Sequence, residues 1–178
     1  MATYLALFRG INVGGRNKLP MASLKALMGE LGAEGVRTVL QSGNAAFELA
    51  ASRRSPFVPA LRAAIGRDFG FEPQVLLLSA ADLAKAIAGN PYPSADAVPK
   101  AVHVGFLESA PKKPDTAGLD ALKTTTESWQ LAGRVFYLHT PDGFGRSKLA
   151  AAAERRLGVP MTARNWATVG KLRTLAKG

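Results

Sequence analysis

The sequence contains no cysteine, and this absence excludes several kinds of site. Without thiols the chain can form no disulfide bond and no thiolate-ligated metal centre. Only two histidines are present, His103 and His139, and no carboxylates cluster beside either one. We therefore predict no metal site and no cofactor. No G-x-S-x-G elbow and no Ser/His/Asp spacing is present, so no catalytic set can be named, although an acid–base enzyme stays open.

Long apolar runs are also missing. The longest, such as Tyr4–Phe8 and Leu149–Ala153, have five residues, whereas a membrane-spanning helix needs about 20. Met1–Phe8 runs directly into Arg9, with no basic segment before it and no cleavage site after it, which argues against a signal peptide. We expect a cytoplasmic protein without a membrane partner. Because 47% of its 178 residues are hydrophobic, the chain can still bury a core.

Acidic residues are scarce at both ends of the chain. The first 29 residues carry four basic side chains and no acid, and residues 143–178 carry eight basic side chains against Glu154 alone. The residues between them are close to neutral, so the net charge of +10 is concentrated in the two ends. A localised positive field favours polyanions or phosphorylated ligands. The alternative is that a basic protein is merely soluble and weakly adhesive.

The first half of the sequence predicts the order β-α-β-β-α-β. Gly10, Gly32 and Gly70 mark natural ends of elements, and Pro20 and Ser55-Pro56 mark helix starts. The predicted strands are Tyr4–Arg9, Val36–Leu40, Asn44–Leu49 and Gln74–Leu78, the helices follow Pro20 and Ser55, and a further helix is capped by Ser79. The apolar run Tyr4–Arg9 is typical of a strand covered on both faces. This order is the split βαβ, or ferredoxin-like, arrangement.

The second half predicts a less complete copy of the first. We expect a strand at Ala101–Leu107, a helix at Asp115–Leu122, a hairpin of Glu127–Leu131 with Arg134–His139, a helix from Ser147 to Leu157, and a last helix capped by Thr162. The predicted fold class is therefore α+β, with two ferredoxin-like lobes, the second less regular. Residues 1–90 form the first lobe, the proline-containing segment 91–99 links them, and 100–178 form the second. The C-terminal helix is expected to pack back near the N-terminal loop.

The most unusual local sequence is R-G-I-N-V-G-G-R-N-K, directly after the first predicted strand. Glycines in such a loop can turn backbone N–H groups toward one point, and the following helix adds the positive end of its dipole. The predicted ligand-binding residues here are Arg9, Asn12, Gly14, Gly15, Arg16, Asn17 and Lys18. It is neither a Walker loop nor a dinucleotide fingerprint. Alternatively, the glycines serve only a tight connection.

Three other segments contain similar residue types. P-D-G-F-G-R-S-K places Gly145, Arg146, Ser147 and Lys148 at another helix start. Near the C-terminus, Arg164, Asn165 and Lys171 are predicted on the last helix, with Arg164 as a clamp for phosphate or carboxylate and Trp166 facing the core. A solvated arginine on an amphipathic helix is the alternative. Ser42 and Asn44, in the turn Q-S-G-N, could join a ligand site if the strand ends converge.

Taken together, these segments resemble the bacterial family named domain of unknown function 1697 (DUF1697). The matching residues are R-G-I-N-V-G-G-R-N at Arg9–Asn17, Q-S-G-N at Gln41–Asn44, P-D-G-F-G-R-S-K-L at Pro141–Leu149 and R-N-W-A-T-V-G-K-L at Arg164–Leu172. The resemblance implies two ferredoxin-like lobes and implies no activity. Ala167, Gly170 and Phe144 depart from the pattern, which concerns local packing only.

From these residues we expect a protein that binds phosphate-bearing ligands, with nucleic acid favoured through sequence-tolerant phosphate contacts. A second hypothesis is an enzyme or sensor that holds one phosphorylated or carboxylated metabolite. A third is an interaction scaffold without a ligand. The first two require Arg16, Arg146 and Arg164 to meet around one concavity.

Overall fold

The computed structural model describes residues 1–39 and 43–177 of the chain. Within these residues eight strands and six α-helices are present. In chain order they are β1 (Ala2–Arg9), α1 (Met21–Glu30), β2 (Glu34–Thr38), β3 (Asn44–Leu49), α2 (Arg54–Phe69), β4 (Gln74–Ser79), α3 (Ala80–Ala88), β5 (Val102–Leu107), α4 (Thr116–Leu122), β6 (Ser128–Ala132), β7 (Val135–His139), α5 (Lys148–Leu157), β8 (Met161–Asn165) and α6 (Trp166–Lys177).

These elements belong to two compact units. The first unit comprises Met1–Ala84 and the chain from Lys171 onward, and the second comprises Lys85–Gly170. Each contains one antiparallel four-stranded sheet, with the order β2-β3-β1-β4 in the first and β6-β7-β5-β8 in the second. Both sheets follow the order βαββαβ. The predicted α+β fold with two ferredoxin-like lobes is confirmed.

The core of the first unit lies between its sheet and helices α1 and α2. Because strand side chains alternate between faces, Tyr4 and Phe8 of β1 join the cluster that contains Leu24 of α1 and Phe57 of α2. Leu5 and Leu7, which point to the other face, have exposed fractions of zero. The sequence prediction that this strand is covered on both faces is therefore confirmed.

The second unit uses the same arrangement with different side chains. Phe136 and Leu138 of β7 pack against Leu149, Ala153 and Leu157 on one face of α5. Helix α5 begins after Ser147, whose hydroxyl oxygen accepts the N–H of Ala150 at 3.0 Å, and it ends at Gly158, whose φ is +72°. The predicted start and end of this helix are confirmed.

Two predicted helix starts were wrong. Residues Met161–Asn165 form β8, paired with β5, and the last helix begins only at Trp166. The capping potential of Thr162 was overridden because the residue pairs with Phe106 in the sheet and is buried there. The second unit is thus as complete as the first. Helix α2 begins at Arg54, because a 3₁₀ turn before Ser55 continues directly into it.

Each sheet ends in a strand that leads into a helix with no intervening loop. Strand β4 ends at Ser79, whose hydroxyl oxygen accepts the N–H of Asp82 in α3 at 3.0 Å. Strand β8 ends at Asn165, whose carbonyl oxygen Oδ1 accepts the N–H of Thr168 in α6 at 2.9 Å. In both units the last strand residue is therefore the N-cap of the next helix. Within residues 1–39 and 43–177, no helix combines the length and apolarity needed to cross a bilayer.

Candidate functional site

The loop after β1 folds back on itself as a small hairpin. Val13 and Arg16 form an isolated bridge, and the N–H of Arg16 donates to the carbonyl of Val13 at 3.1 Å. Between them Gly14 and Gly15 have φ of +58° and +75°, the combination of a type I′ turn, which glycine adopts without strain. Val13 and Arg16 are both exposed at this tip. The tandem glycines are therefore required by the turn itself.

Two asparagines hold this hairpin in place. Asn12 donates from Nδ2 to the carbonyl of Leu19 at 2.9 Å and accepts the N–H of Leu19 at 2.8 Å. Asn17 donates from Nδ2 to the carbonyl of Gly10 at 2.8 Å. Both asparagines have φ near +50°, at +52° and +50°, which asparagine tolerates better than most residues. Their role as ligands stays a prediction, while their side chains already bind the loop backbone.

Helix α1 begins beside this hairpin without a side-chain cap. Its N-cap residue is Pro20, which offers no oxygen in its side chain, and the first turn contains no acid. The N–H of Leu24 donates to the carbonyl of Pro20 at 3.0 Å as the first helical bond. The N–H groups of Met21, Ala22 and Ser23 precede that bond, so no carbonyl of the helix itself can accept them. The positive end of the helix dipole is thus open to an anion.

An open concavity of about 590 Å³ lies at this helix start, a volume within the range of small-ligand sites. Its lining residues are Asn12, Gly15, Lys18, Leu19, Pro20, Met21 and Ala22. The side chain of Lys18 is exposed at its edge. A flexible ammonium beside N–H groups that have no acceptor within their own helix can hold a phosphate or carboxylate oxygen. Of the predicted site residues, Asn12, Gly15 and Lys18 therefore line one concavity.

Gly43 and Asn44, at the start of β3, lie at the same end of the first sheet as the loop after β1. The N–H of Phe8 donates to the carbonyl of Gly43 at 2.8 Å, and Asn44 pairs with Leu7. Asn44 is fully buried and donates from Nδ2 to the carbonyl of Val39 at 3.4 Å. The end of β1 and the start of β3 therefore lie side by side, and the role of Asn44 as a ligand stays a prediction. Ser42, the other predicted ligand here, lies outside the described residues.

The loop at Pro141–Lys148 belongs to the second unit. It forms a 3₁₀ turn at Phe144–Arg146, with Gly145, Arg146 and Lys148 exposed. Ser147 is buried and caps α5, so its oxygen already accepts a backbone N–H. The loop therefore presents two cations, while its serine has a structural role.

The C-terminal segment differs from its prediction. Arg164 was expected early in the last helix, in line with Lys171, but it lies on β8 opposite Val104. It donates from Nη1 to the carbonyl of Ala163 at 3.0 Å, and burial lowers the pKa of Arg164 to about 10. Asn165 caps α6, while Lys171 is exposed on that helix. The arginine is thus a partly buried strand residue that stays charged at neutral pH.

The meeting of Arg16, Arg146 and Arg164 stays a prediction, because Arg16 belongs to the first unit and the other two to the second. Lys171 belongs to the first unit. Among the residues described here, no three His, Asp or Glu side chains form a group that could hold a metal ion.

Sequence reasoning predicted that the dipole of the following helix contributes to the site, but it did not name the residues at the start of α1 as part of it. Pro20, Met21 and Ala22 contribute to the concavity through a helix start that lacks a cap. A signal was present, because proline directly before an amphipathic run marks a helix start and supplies no capping oxygen.

The corresponding helix of the second unit begins differently. Asp115 is the N-cap of α4 and accepts the N–H of Gly118 at 2.8 Å. The same carboxylate forms an ion pair with Arg156 of α5. The hydrogen bond from the Gly118 N–H and, as the second cause, the hydrogen bond from Arg156 lower the pKa of Asp115 below its ordinary value. The start of α4 is thus occupied by an anion of the protein's own.

Comparisons with known proteins agree with this architecture. The family model described as "Protein of unknown function (DUF1697)" matches residues 1–137. A solved structure, that of the conserved bacterial protein SP0830 from Streptococcus pneumoniae, shares the fold with a TM-score of 0.73 and 23% sequence identity, over 98% of each chain. At that identity the likeness shows the fold alone. No curated protein matches the chain.

Proposed function

Because this chain belongs to the DUF1697 family of unknown function, we propose its function from its own site: it binds a phosphate-bearing ligand at the start of α1. The observation that carries the proposal is the uncapped helix start beside Lys18, at a concavity of about 590 Å³. An anion there gains hydrogen bonds from backbone N–H groups together with the field of the helix and the ammonium.

The second unit supports this interpretation. At the start of α4 the carboxylate of Asp115 accepts a backbone N–H and pairs with Arg156. These are the two interactions that an external phosphate would make with the α1 backbone and Lys18. The start of α4 is neutralised by the carboxylate of Asp115, and at the start of α1 a bound anion would take the place of that carboxylate.

Among phosphate-bearing ligands we favour nucleic acid, because a net charge of +10 attracts a polyanion. The buried faces of β1 leave no aromatic platform for bases on this strand. Contacts would therefore be made to phosphate groups, and binding would be sequence-tolerant and weakened by salt.

The test is fluorescence anisotropy with a short single-stranded RNA and a DNA duplex at salt concentrations from about 50 to 200 mM. We expect measurable affinity at low salt and a steep fall in affinity as the salt concentration rises. In Lys18→Ala the slope of log affinity against log salt concentration should decrease by the equivalent of about one phosphate contact. Lys113→Ala, in the corresponding loop of the second unit, is the matched control. Binding that is absent at low salt, or equal losses in the two variants, would contradict the proposal.

The volume of the concavity favours a second candidate, a small phosphorylated or carboxylated metabolite. A thermal-shift series with inorganic phosphate, nucleotides and sugar phosphates distinguishes the two ligands. A single compact compound that stabilises the wild type, and stabilises Lys18→Ala less, would favour the metabolite over nucleic acid.

A further inference from the structure

Strand β6 is an edge strand without the usual protection against pairing. Ser128–Ala132 contains no charged residue and no proline, and it pairs with β7 without a bulge. Strand β2 has the same place in the first sheet, and it carries Glu34 and Arg37 with a register shift between them. Charges and bulges are the features by which edge strands avoid pairing with other strands. The two corresponding edges therefore differ in whether they can accept another strand.

The free side of β6 has a defined set of hydrogen-bonding groups. Ala132 and Val135 close a two-residue turn in which Gly133 has a φ of +59°. The pair that closes such a hairpin, here Ala132 with Val135, is hydrogen-bonded. Hydrogen-bonded and non-hydrogen-bonded pairs then alternate along an antiparallel ladder, so the pairs of Leu131 and Trp129 with β7 are not hydrogen-bonded. The N–H and C=O groups of Trp129 and Leu131 consequently point away from β7. In the part of the chain that the structure describes, no other backbone segment hydrogen-bonds to them.

This strand is complementary to itself. If a second copy pairs antiparallel about a two-fold axis at Gln130, Trp129 of one copy lies opposite Leu131 of the other, and Ser128 lies opposite Ala132. The outward N–H and C=O groups of Trp129 and Leu131 then meet as hydrogen-bonded pairs. Both side chains lie on the face that packs against the core of the second unit, and both are partly exposed. Pairing would cover their remaining apolar surface and extend that core.

The charge distribution also favours this edge. Two chains with a net charge of +10 repel each other, so contact is least unfavourable where basic residues are missing. Residues 124–133 contain no lysine or arginine, and their one acid, Glu127, is buried. The ring of Trp129 is already oriented, because its Nε1 donates to Asp120 at 3.1 Å.

We infer that two copies of this chain associate through antiparallel pairing of their β6 strands, which joins two four-stranded sheets into one sheet of eight strands. The interface is isologous, as expected for a two-fold dimer.

The first test is sedimentation equilibrium of the full chain and of Gln130→Lys. Gln130 is exposed, so this variant should keep its circular dichroism spectrum. Two lysines would face each other at the axis and raise the dimer dissociation constant about tenfold or more. Ala132→Lys is the matched control, because residue 132 faces Ser128 of the second copy, and we expect a much smaller change. A monomeric wild type, or a dimer that Gln130→Lys leaves intact, would overturn the inference.

The second test uses the absence of native cysteine. In Gln130→Cys the two thiols would face each other in a non-hydrogen-bonded pair, about 4.5 Å apart between Cα atoms, which permits a disulfide. In Ala132→Cys the two thiols would lie four strand positions apart, roughly 13 Å, which is too far. Under mild oxidation Gln130→Cys should form a covalent dimer much faster than Ala132→Cys. Equal rates would exclude this pairing.

Discussion

In each unit a helix follows the first strand, and the charge beside the N-terminus of that helix differs between the units. Helix α4 starts at Asp115, a carboxylate that also pairs with Arg156. Helix α1 starts at Pro20, with no acid in its first turn and Lys18 beside it. The sheets around them have the same strand order. The comparison teaches that one fold can satisfy a helix start internally in one unit and leave it open in the other.

The loops that precede these two helices also differ between the units. The first unit continues from Arg9 into a hairpin held by Asn12 and Asn17, whereas the second continues from Leu107 into Glu108 and a proline-containing segment. The first loop is ordered by its own hydrogen bonds, so it can present Lys18 and backbone groups in a fixed arrangement. Such preorganisation lowers the entropic cost of binding.

The largest effect is expected from Asn12→Ala, which tests whether the first loop is self-ordered. Alanine loses both hydrogen bonds to Leu19 and is strained at a φ of +52°, so the free energy of unfolding should fall by about 2–3 kcal/mol. Urea denaturation measures it. Lys112→Ala, in the second unit's loop, should change stability by less than about 0.5 kcal/mol. Similar losses in both variants would mean that the loops do not differ.

Pro20→Asp would make the first unit resemble the second. An aspartate at this N-cap supplies the missing carboxylate, and relative to Pro20→Ala we expect about 1 kcal/mol of added stability. The same carboxylate should compete with a ligand, so phosphate should raise the melting temperature of Pro20→Ala and not that of Pro20→Asp. Differential scanning fluorimetry with and without inorganic phosphate gives both results. Equal phosphate responses would place the anion elsewhere.

The smallest effect is expected for His103. This residue corresponds to Tyr4 of the first sheet, because His103 pairs with Asn165 and Tyr4 pairs with Ser79, the two residues that cap the following helices. The imidazole stacks on Phe144 with ring centroids 4.0 Å apart, and burial lowers the pKa of His103 to about 4. The unfolded chain therefore binds the proton more readily, so this contribution to stability is present above pH 6.5 and is lost as the pH falls toward 4.

For a partly exposed ring the loss should be on the order of 1 kcal/mol or less. His103→Phe keeps the stacking and removes the titration. The difference in unfolding free energy between variant and wild type, measured from pH 7 to pH 4, should therefore grow as the pH falls. A constant difference would show that the imidazole does not titrate in this way.

Local signals predicted much of this fold. Gly70 and Gly158 end helices in the left-handed conformation, and Ser79 and Ser147 cap the helices that follow them, all as expected from short-range chemistry. Strand β1 was predicted from its apolar run. These features depend on neighbours in sequence, which is why the sequence alone predicts them.

The wrong predictions concern positions whose secondary structure is determined by residues distant in the sequence. Met161–Asn165 has a capping threonine and helix-compatible residues, but its pairing with β5 makes it a strand. The hydrogen bonds between Asn12 and Leu19 also depend on how the loop folds, so the sequence alone did not predict them. The prediction that Arg164 lies on a helix was wrong for the same reason, because Arg164 belongs to this strand. Side-chain roles in the site could be predicted only as residue types, because their partners are fixed by tertiary structure.

The direct passage from β8 into α6 links the strand register to the position of a helix. Asn165 is both the last residue of β8, opposite His103 of β5, and the N-cap of α6. A shift of β8 by one position along β5 would turn Arg164 to the opposite face of the sheet and move the first turn of α6 with it. The position of that helix start is therefore coupled to the register of the strand, and Ser79 at the end of β4 has the same place in the first unit.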